Sequence, residues 1–204
     1  MKRWMILGFV LLLACDGGDP VVEDVSWAFQ SGGPDADSGT GVVSFDDRSG
    51  VTVGGFGESI TLGPGQPGET VLTSLGQDDV FVIGHDPDGM VDWVRHVGTQ
   101  AVVTACVVSR FPDGSFVVAG AFEETVTIGV GQPDATSLDS AGHTDVFFAR
   151  YRADGSLEWA RRVGGPGYEA PRGVAVGLDG SWFVTGYFQH TITFGSGEVN
   201  ELSL

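Results

Sequence analysis

Alternating hydrophobic and polar positions characterise most of the chain after its first apolar run. Thr191–Phe194 and Ser156–Arg161 alternate with a period of two, the pattern of a strand with one buried face. Ser181–Phe188 is rich in β-branched and aromatic residues, which favour strands. Asp-Gly pairs separate such runs, as at Asp154-Gly155 and Asp179-Gly180, and predict tight hairpins. The pattern therefore predicts antiparallel strands throughout and no helix after the first apolar run.

The strand pattern repeats along the chain with a fixed 66-residue spacing, which we call the repeat period. A tryptophan and a phenylalanine recur at this spacing in three copies: Trp27, Trp93 and Trp159, and Phe56, Phe122 and Phe188. Gln66-Pro67 and Gln132-Pro133 keep the same spacing without a gap. We therefore divide the chain into units 27–92, 93–158 and 159–204. In this register the last unit lacks the segment that would match Asp139–Glu158.

A tandem repeat of about four antiparallel strands, joined by Asp-Gly hairpins, is typical of β-propeller blades. The sequence predicts an all-β fold over residues 25–204, a partial (open or truncated) β-propeller of two full blades plus part of a third. The repeated Trp and Phe residues are expected between blades, because large aromatic side chains bury the most area there. Propellers usually close with roughly four to eight blades. Three interpretations stay open: a piece of a longer product, a ring of several copies, or an open arc whose exposed blade edges self-associate.

Several short motifs define the repeat. They are Gly173-Val174-Ala175-Val176, Asp179-Gly180-Ser181, Val184-Thr185-Gly186, Asp145–Arg150 and Asp154–Trp159. Together they resemble the SBBP-type β-propeller repeat of bacterial exported proteins, over nearly everything after residue 24. The first unit departs from the pattern most, since Asp46–Gly50 replaces the regular Asp-Gly-Ser turn. The resemblance implies a propeller fold and an exported location, and it implies no agreed activity.

The N-terminal segment, residues 1–24, predicts export. A basic start precedes the apolar run Trp4–Leu13, which is too short to span a bilayer as a mature helix. Leu12-Leu13-Ala14-Cys15 resembles a bacterial lipobox, so we expect residues 1–14 to be a lipoprotein signal peptide and Cys15 to be lipidated. An ordinary secretory signal peptide cut nearby is the alternative. Residues 15–24 are predicted to be a flexible tether. The expected location is the bacterial cell envelope, at either membrane and otherwise periplasmic or extracellular.

The net charge of the chain is −17, from 27 acidic and 10 basic residues. A field of this sign repels phosphate backbones, so nucleic acid is not expected as a partner. Asp86-Pro87-Asp88-Gly89 and related turns resemble fragments of calcium loops. They lack the roughly six to eight oxygen ligands that calcium takes. We therefore expect no cofactor, with the acid-rich loops as candidates only for weak calcium binding.

Motifs for catalysis or cofactor binding are weak. Gly63–Gly68 fits G-x-G-x-x-G but opens no helix, whose N-terminus would bind the phosphates of a dinucleotide. The adjacent carboxylates Asp78-Asp79 are predicted to point to opposite faces of a strand. The four histidines have no metal-ligand spacing and are expected at the surface: His85, His96, His143 and His190. We therefore predict no catalytic, cofactor or metal site, and no enzymatic activity.

Three functional hypotheses follow from the sequence. The first is an exported, membrane-tethered scaffold or binding module whose blade faces and loops meet a protein or carbohydrate partner. The second is a fragment of a propeller enzyme, a hydrolase or lyase, with its site at the channel mouth. The third is a surface adhesin or structural protein assisted by calcium.

Overall fold

The computed structural model describes residues 28, 30–196 and 199–204, apart from the side chains of residues 105 and 106. This part of the chain contains strands and turns and no helix, and so no helix able to cross a membrane. Its strands, in chain order, are β1 (Asp37–Ser44), β2 (Gly50–Leu62), β3 (Thr70–His85), β4 (Val91–Thr99), β5 (Val103–Arg110), β6 (Phe116–Ile128), β7 (Thr136–Tyr151), β8 (Leu157–Val163), β9 (Ala170–Val176), β10 (Trp182–Tyr187), β11 (Thr193–Phe194) and β12 (Leu202–Ser203). The prediction of an all-β chain is confirmed.

The strand bounds follow the repeat period seen in the sequence. β5 begins and ends one period after β1, β6 does so after β2, and β7 does so after β3. β8 also begins one period after β4. Because these bounds are set by hydrogen bonding, the period of the sequence is also a period of the backbone across β1–β8.

Strands β1–β4 pair antiparallel in chain order and form what we call the first meander. Strands β5–β8 do the same and form the second meander. Val97–Thr99 at the end of β4 pairs with Val126–Ile128 at the end of β6 and joins the two. The remaining strands form two-stranded sheets, β9 with β10 and β11 with β12. Over the described residues these sheets are open and do not close into a barrel.

A bulge in the second strand of each meander creates the link between copies. β2 and β6 change register at Glu58 and Glu124, whose φ angles are 41° and 57°. A bulge bends a strand. The segment of β2 or β6 beyond the bulge pairs with the start of β3 or β7, and we call these paired segments the arm of the copy. A glycine that precedes the first strand of each copy (β1, β5 or β9) pairs with a threonine later in the same copy. These pairs recur at intervals of one repeat period: Gly32 with Thr61, Gly98 with Thr127, and Gly164 with Thr193.

The hydrophobic core lies between successive copies. The largest buried cluster draws side chains from both meanders, including Val53, Val82, Val97, Phe116, Val118, Phe147 and Tyr151. A further cluster joins the second meander to the third copy and includes Phe111, Val117, Phe148, Val163 and Ile192. Neighbouring residues of β6 enter different clusters, since successive side chains of a strand point to opposite faces. The second meander is therefore buried on both faces.

Candidate functional site

The tryptophan of β4 lies where the first and second meanders meet. The rings of Trp93 and Phe116 stack with 5.8 Å between centroids, and Phe116 stacks on Tyr151 at 5.3 Å. A Cβ atom on Gly155 would lie 2.6 Å from the Trp93 ring, so glycine at this position leaves room for the indole. We call this contact region, with the pairing of β4 to β6, the first junction.

Trp159 occupies the equivalent position in β8. Its ring lies 6.4 Å from that of Trp182 in β10. We call this region, with the bridge from Gly164 to Thr193, the second junction. Each junction thus places the repeated tryptophan against the copy that follows. Two residues named for the site, Cys15 and Trp27, lie outside the described residues.

The repeated phenylalanines differ in their surroundings. Phe56 and Phe122 are buried, and the rings of Phe122 and Phe147 lie 6.4 Å apart. Phe188 is 45% exposed, which departs from the expected packing between copies. The physical reason is that Phe147 belongs to β7, and no described strand takes that place beside β10.

A buried carboxylate lies at the first junction. Asp79 Oδ2 accepts hydrogen bonds from His96 Nε2 at 2.6 Å and from the Leu75 N–H at 2.8 Å. Its Oδ1 accepts from the Thr99 N–H at 3.2 Å. A Cβ atom on Gly98 would lie 2.6 Å from Asp79 Oδ2, so the repeated glycine makes room for this cluster. With three donors the carboxylate is well satisfied despite its burial.

A related cluster with different charges lies at the second junction. Asp145, one repeat period after Asp79, is also buried, and its Oδ2 accepts from Arg162 Nη1 at 2.5 Å and from the Ala141 N–H at 2.9 Å. Glu169 is buried beside it and accepts from the Gly165 N–H at 3.1 Å. In the repeat register Arg162 replaces His96, and Glu169 replaces Val103.

Two buried carboxyl oxygens at the second junction have no donor. Asp145 Oδ1 and Glu169 Oε1 are buried and have no hydrogen-bond partner of normal geometry. Burial raises the pKa of Glu169, and the adjacent Asp145 raises it further, against the effect of the backbone N–H groups of Gly165 and Gln189. Two facing carboxylates ionise together only at high cost. A proton on Glu169 would supply the donor that these two orphan oxygens lack.

The backbone N–H at the repeat position of Gly33, Thr99 and Gly165 donates to a carboxylate in each copy. The Gly33 N–H donates to Asp37 at 2.7 Å, and the Gly165 N–H donates to Glu169 two copies later. In the copy between them the position of Asp37 and Glu169 is Val103, and Asp79 accepts from the Thr99 N–H instead. The repeat therefore preserves the acceptor that this amide needs, although the residue that supplies it changes.

Two of the four histidines contradict the prediction that all of them lie at the surface. His85 and His96 are buried. Burial lowers the pKa of His85 to about 4, although the charge of Asp86 opposes this. His85 ends β3 at the position that the buried Tyr151 takes in β7, and its Nε2 lies 3.3 Å from Thr52 Oγ1. The repeat register, which pairs His85 with an aromatic residue, was the signal that could have revealed its burial.

The carboxylates of the polar clusters are closed to solvent, whereas Arg162 is partly exposed and is also a lining residue of the groove described below. Asp79, Asp145 and Glu169 are fully buried. Among the described residues, no group of three or more His, Cys, Asp and Glu side chains is placed to hold a metal ion. These carboxylates satisfy buried backbone amides.

An open apolar groove of about 730 Å³ lies at the second junction. Its walls come from β7 and β8 on one side and from the third copy on the other. The main lining residues are Phe148, Trp159, Arg161, Trp182, Val184 and Phe194. It differs from the polar clusters in being accessible.

No family model matches this chain. The regulatory protein FlaEY of Caulobacter vibrioides is 29% identical to it over 111 residues, which are 54% of this chain and 12% of that protein. The chain thus spans only a small part of that relative's length. The SBBP-type resemblance stays a prediction.

Proposed function

We propose that this protein is an exported, membrane-tethered scaffold or binding module of the β-propeller type, without a catalytic site. The observation that carries the proposal is the recurrence of the same four-stranded meander, with the same glycine–threonine link, at the repeat period. Blades of a propeller are four-stranded meanders that bury apolar faces against their neighbours. In this proposal β1–β4 and β5–β8 are two blades, and β9–β12 belong to a third.

The buried polar residues support a scaffold more than an enzyme. Catalytic acids and bases must reach a substrate, and the paired groups at the junctions instead bind backbone amides in closed surroundings. The accessible feature is an apolar groove lined by aromatic rings. Such a surface fits a protein or carbohydrate partner, and the net charge of −17 disfavours nucleic acid.

Export and tethering rest on residues 1–24, which precede the described part of the chain. A lipid on Cys15 would hold the module at a membrane, since stable anchoring needs about two acyl chains. Residues 15–24 would let it stand clear of the surface.

Metabolic labelling with a fatty acid tests the tether. We expect label on the parent protein, loss of label in Cys15→Ala, and full label in the matched variant Cys106→Ala, which removes the other cysteine of the chain. Equal labelling of the two variants would overturn the tether and leave the fold proposal untouched.

A further inference from the structure

Four hairpin turns in the described chain contain an Asp-Gly pair and share one backbone geometry. In each turn the glycine has a φ angle between 76° and 84°. Its N–H donates to the carbonyl oxygen three residues earlier, at 2.9–3.1 Å. The pairs are Asp88-Gly89, Asp113-Gly114, Asp154-Gly155 and Asp179-Gly180. The backbone at the glycine therefore does not distinguish one turn from another.

A serine that follows the glycine binds the aspartate side chain in three of these turns. Asp154 Oδ1 accepts hydrogen bonds from the Ser156 N–H at 2.9 Å and from its hydroxyl at 2.6 Å. Asp113 and Asp179 accept the same two bonds from the serines that follow them, at 2.5–3.0 Å. The serine hydroxyl, and after it the serine N–H, lowers the pKa of each of the three carboxyl groups. These carboxylates are thus both fixed in position and kept ionised.

The turn between β3 and β4 departs from this arrangement. Met90 stands where the other turns have serine. Asp86 Oδ1 accepts from the N–H groups of Asp88 and Met90, at 3.0 and 2.8 Å. The side chain of Asp88 is exposed and, within the described part of the chain, accepts no hydrogen bond. Asp86 therefore orders this turn in place of Asp88, and the Asp88 carboxyl group is left able to rotate.

An aspartate that precedes a glycine rearranges without an enzyme when its side chain reaches the next backbone nitrogen. The glycine nitrogen attacks the side-chain Cγ and forms a C–N bond, while the amide proton and the carboxyl hydroxyl leave as water. The resulting succinimide ring takes up one water. Opening at its α-carbonyl leaves the chain linked through the side-chain carboxyl, which is an isoaspartate. The water released is matched by the water consumed, and no oxidant or other reactant is needed. Glycine favours the attack because it has no side chain to obstruct it.

We propose that Asp88 is a site of spontaneous isoaspartate formation, and that the serine after the glycine protects the other three Asp-Gly turns. The attack requires Cγ to turn towards the glycine nitrogen, and the loss of water requires a protonated carboxyl group. A carboxylate that a serine fixes and keeps ionised meets neither requirement. Asp154 is the matched comparison, since it lies one repeat period after Asp88 and both following glycines are buried. The product would carry one extra backbone carbon between β3 and β4, whatever the function of the protein.

Ageing of the purified full chain in mildly acidic buffer, followed by tryptic peptide mapping, tests the proposal. Arginines separate the four aspartates, so each lies on its own tryptic peptide. Electron-transfer fragmentation then distinguishes isoaspartate from aspartate at each position. We expect isoaspartate to accumulate at Asp88 severalfold faster than at the other three. The four rates should converge in concentrated urea, because the protection depends on the folded turns. Equal rates in the folded chain, or no isoaspartate at Asp88, would overturn the proposal.

Three variants test the role of the serine and the position of the modification. Ser156→Ala removes the hydroxyl donor and should raise the rate at Asp154 severalfold, with the rate at Asp88 unchanged. Ser137→Ala, at an exposed serine of β7 outside the Asp-Gly turns, should leave both rates as they are. Asp88→Glu should remove isoaspartate from its peptide, because the larger ring that glutamate would form closes slowly. An unchanged rate at Asp154 in Ser156→Ala would overturn the protective role of serine. Isoaspartate that persists in Asp88→Glu would place the modification at another residue and overturn the assignment to Asp88.

Discussion

The two junctions present the same backbone with different charges. At the first, buried Asp79 bonds to buried His96, and Val103 is a core residue. In the repeat register the second has Asp145, Arg162 and Glu169 at these three positions. Asp79 is satisfied by three donors, while the second cluster leaves two carboxyl oxygens that need a proton. The backbone N–H groups of the repeated fold need an acceptor in every copy, but the ionisable side chain that supplies it differs between copies.

The largest effect is expected from removing the carboxylate of the first junction. Asp79→Ala leaves the N–H groups of Leu75 and Thr99 and the His96 ring without their acceptor. Loss of one partner from such a buried network costs about 3–5 kcal/mol in the free energy of unfolding. Urea denaturation of the purified protein measures it.

The neighbouring carboxylate provides the control. Asp78 is exposed on the same strand, and Asp78→Ala should change the free energy of unfolding by less than about 0.5 kcal/mol. Equal destabilisation by the two substitutions would show that the buried hydrogen bonds are not what stabilises the junction.

A histidine buried in the first meander should make stability depend on pH. The pKa of His85 is lowered to about 4, whereas an unfolded chain has a value near 6.5. The unfolded state therefore binds more protons between these values, so stability is full above about pH 6.5 and falls as pH drops towards 4, by up to about 3 kcal/mol. Thermal melting as a function of pH measures the loss.

His85→Tyr places at this position the residue that the second meander already uses, Tyr151, which is buried. The variant should fold, and its stability should fall less between pH 6.5 and 4 than that of the parent. An unchanged pH profile would show that His85 is not the group responsible.

The smallest effect concerns the excess carboxyl of the second junction. Because its pKa is raised, Glu169 contributes stability that is present at low pH and lost as pH rises through its folded-state pKa. Glu169→Gln keeps an acceptor for the Gly165 N–H and gives Asp145 a permanent donor. We expect a gain of roughly 1 kcal/mol at pH values above the folded-state pKa of Glu169, and no gain in acid, where the carboxyl is protonated.

Glu58→Gln, on an exposed side chain of β2, is the matched control and should produce no such pH-dependent gain. If Glu169→Gln changes stability to the same extent at low and high pH, the pKa of Glu169 is not raised in the folded protein, and the two carboxyls do not share a proton.

Periodicity and turn chemistry were enough to predict the strands. The alternating run Ser156–Arg161 lies in β8 from Leu157 onward, and the Asp-Gly pair at Asp179 precedes β10 as expected. The pairing of β4 with β6 could not be predicted, because alternation indicates which face of a strand is buried and does not identify its neighbour.

Burial of individual polar residues was the weakest part of the prediction. His96 was expected at the surface and is buried, where its Nε2 lies 2.6 Å from Asp79 Oδ2 on the neighbouring strand β3. The sequence around Glu169 did not indicate that this residue is buried, since a glutamate is usually exposed. Aligning the copies would have shown that it shares a position with Val103, which lies in the core.

Hydrogen exchange of the second strand in each copy tests whether β1–β4 and β5–β8 are equivalent four-stranded units and whether the described β10 is paired on one edge only. Amides of Phe116–Ala121 in β6 have strands on both sides, whereas those of Trp182–Tyr187 in β10 have one free edge. We expect backbone amides to exchange slowly throughout β2 and β6, and those of β10 to exchange faster by roughly a hundredfold or more. Protection of β10 equal to that of β6 would contradict it.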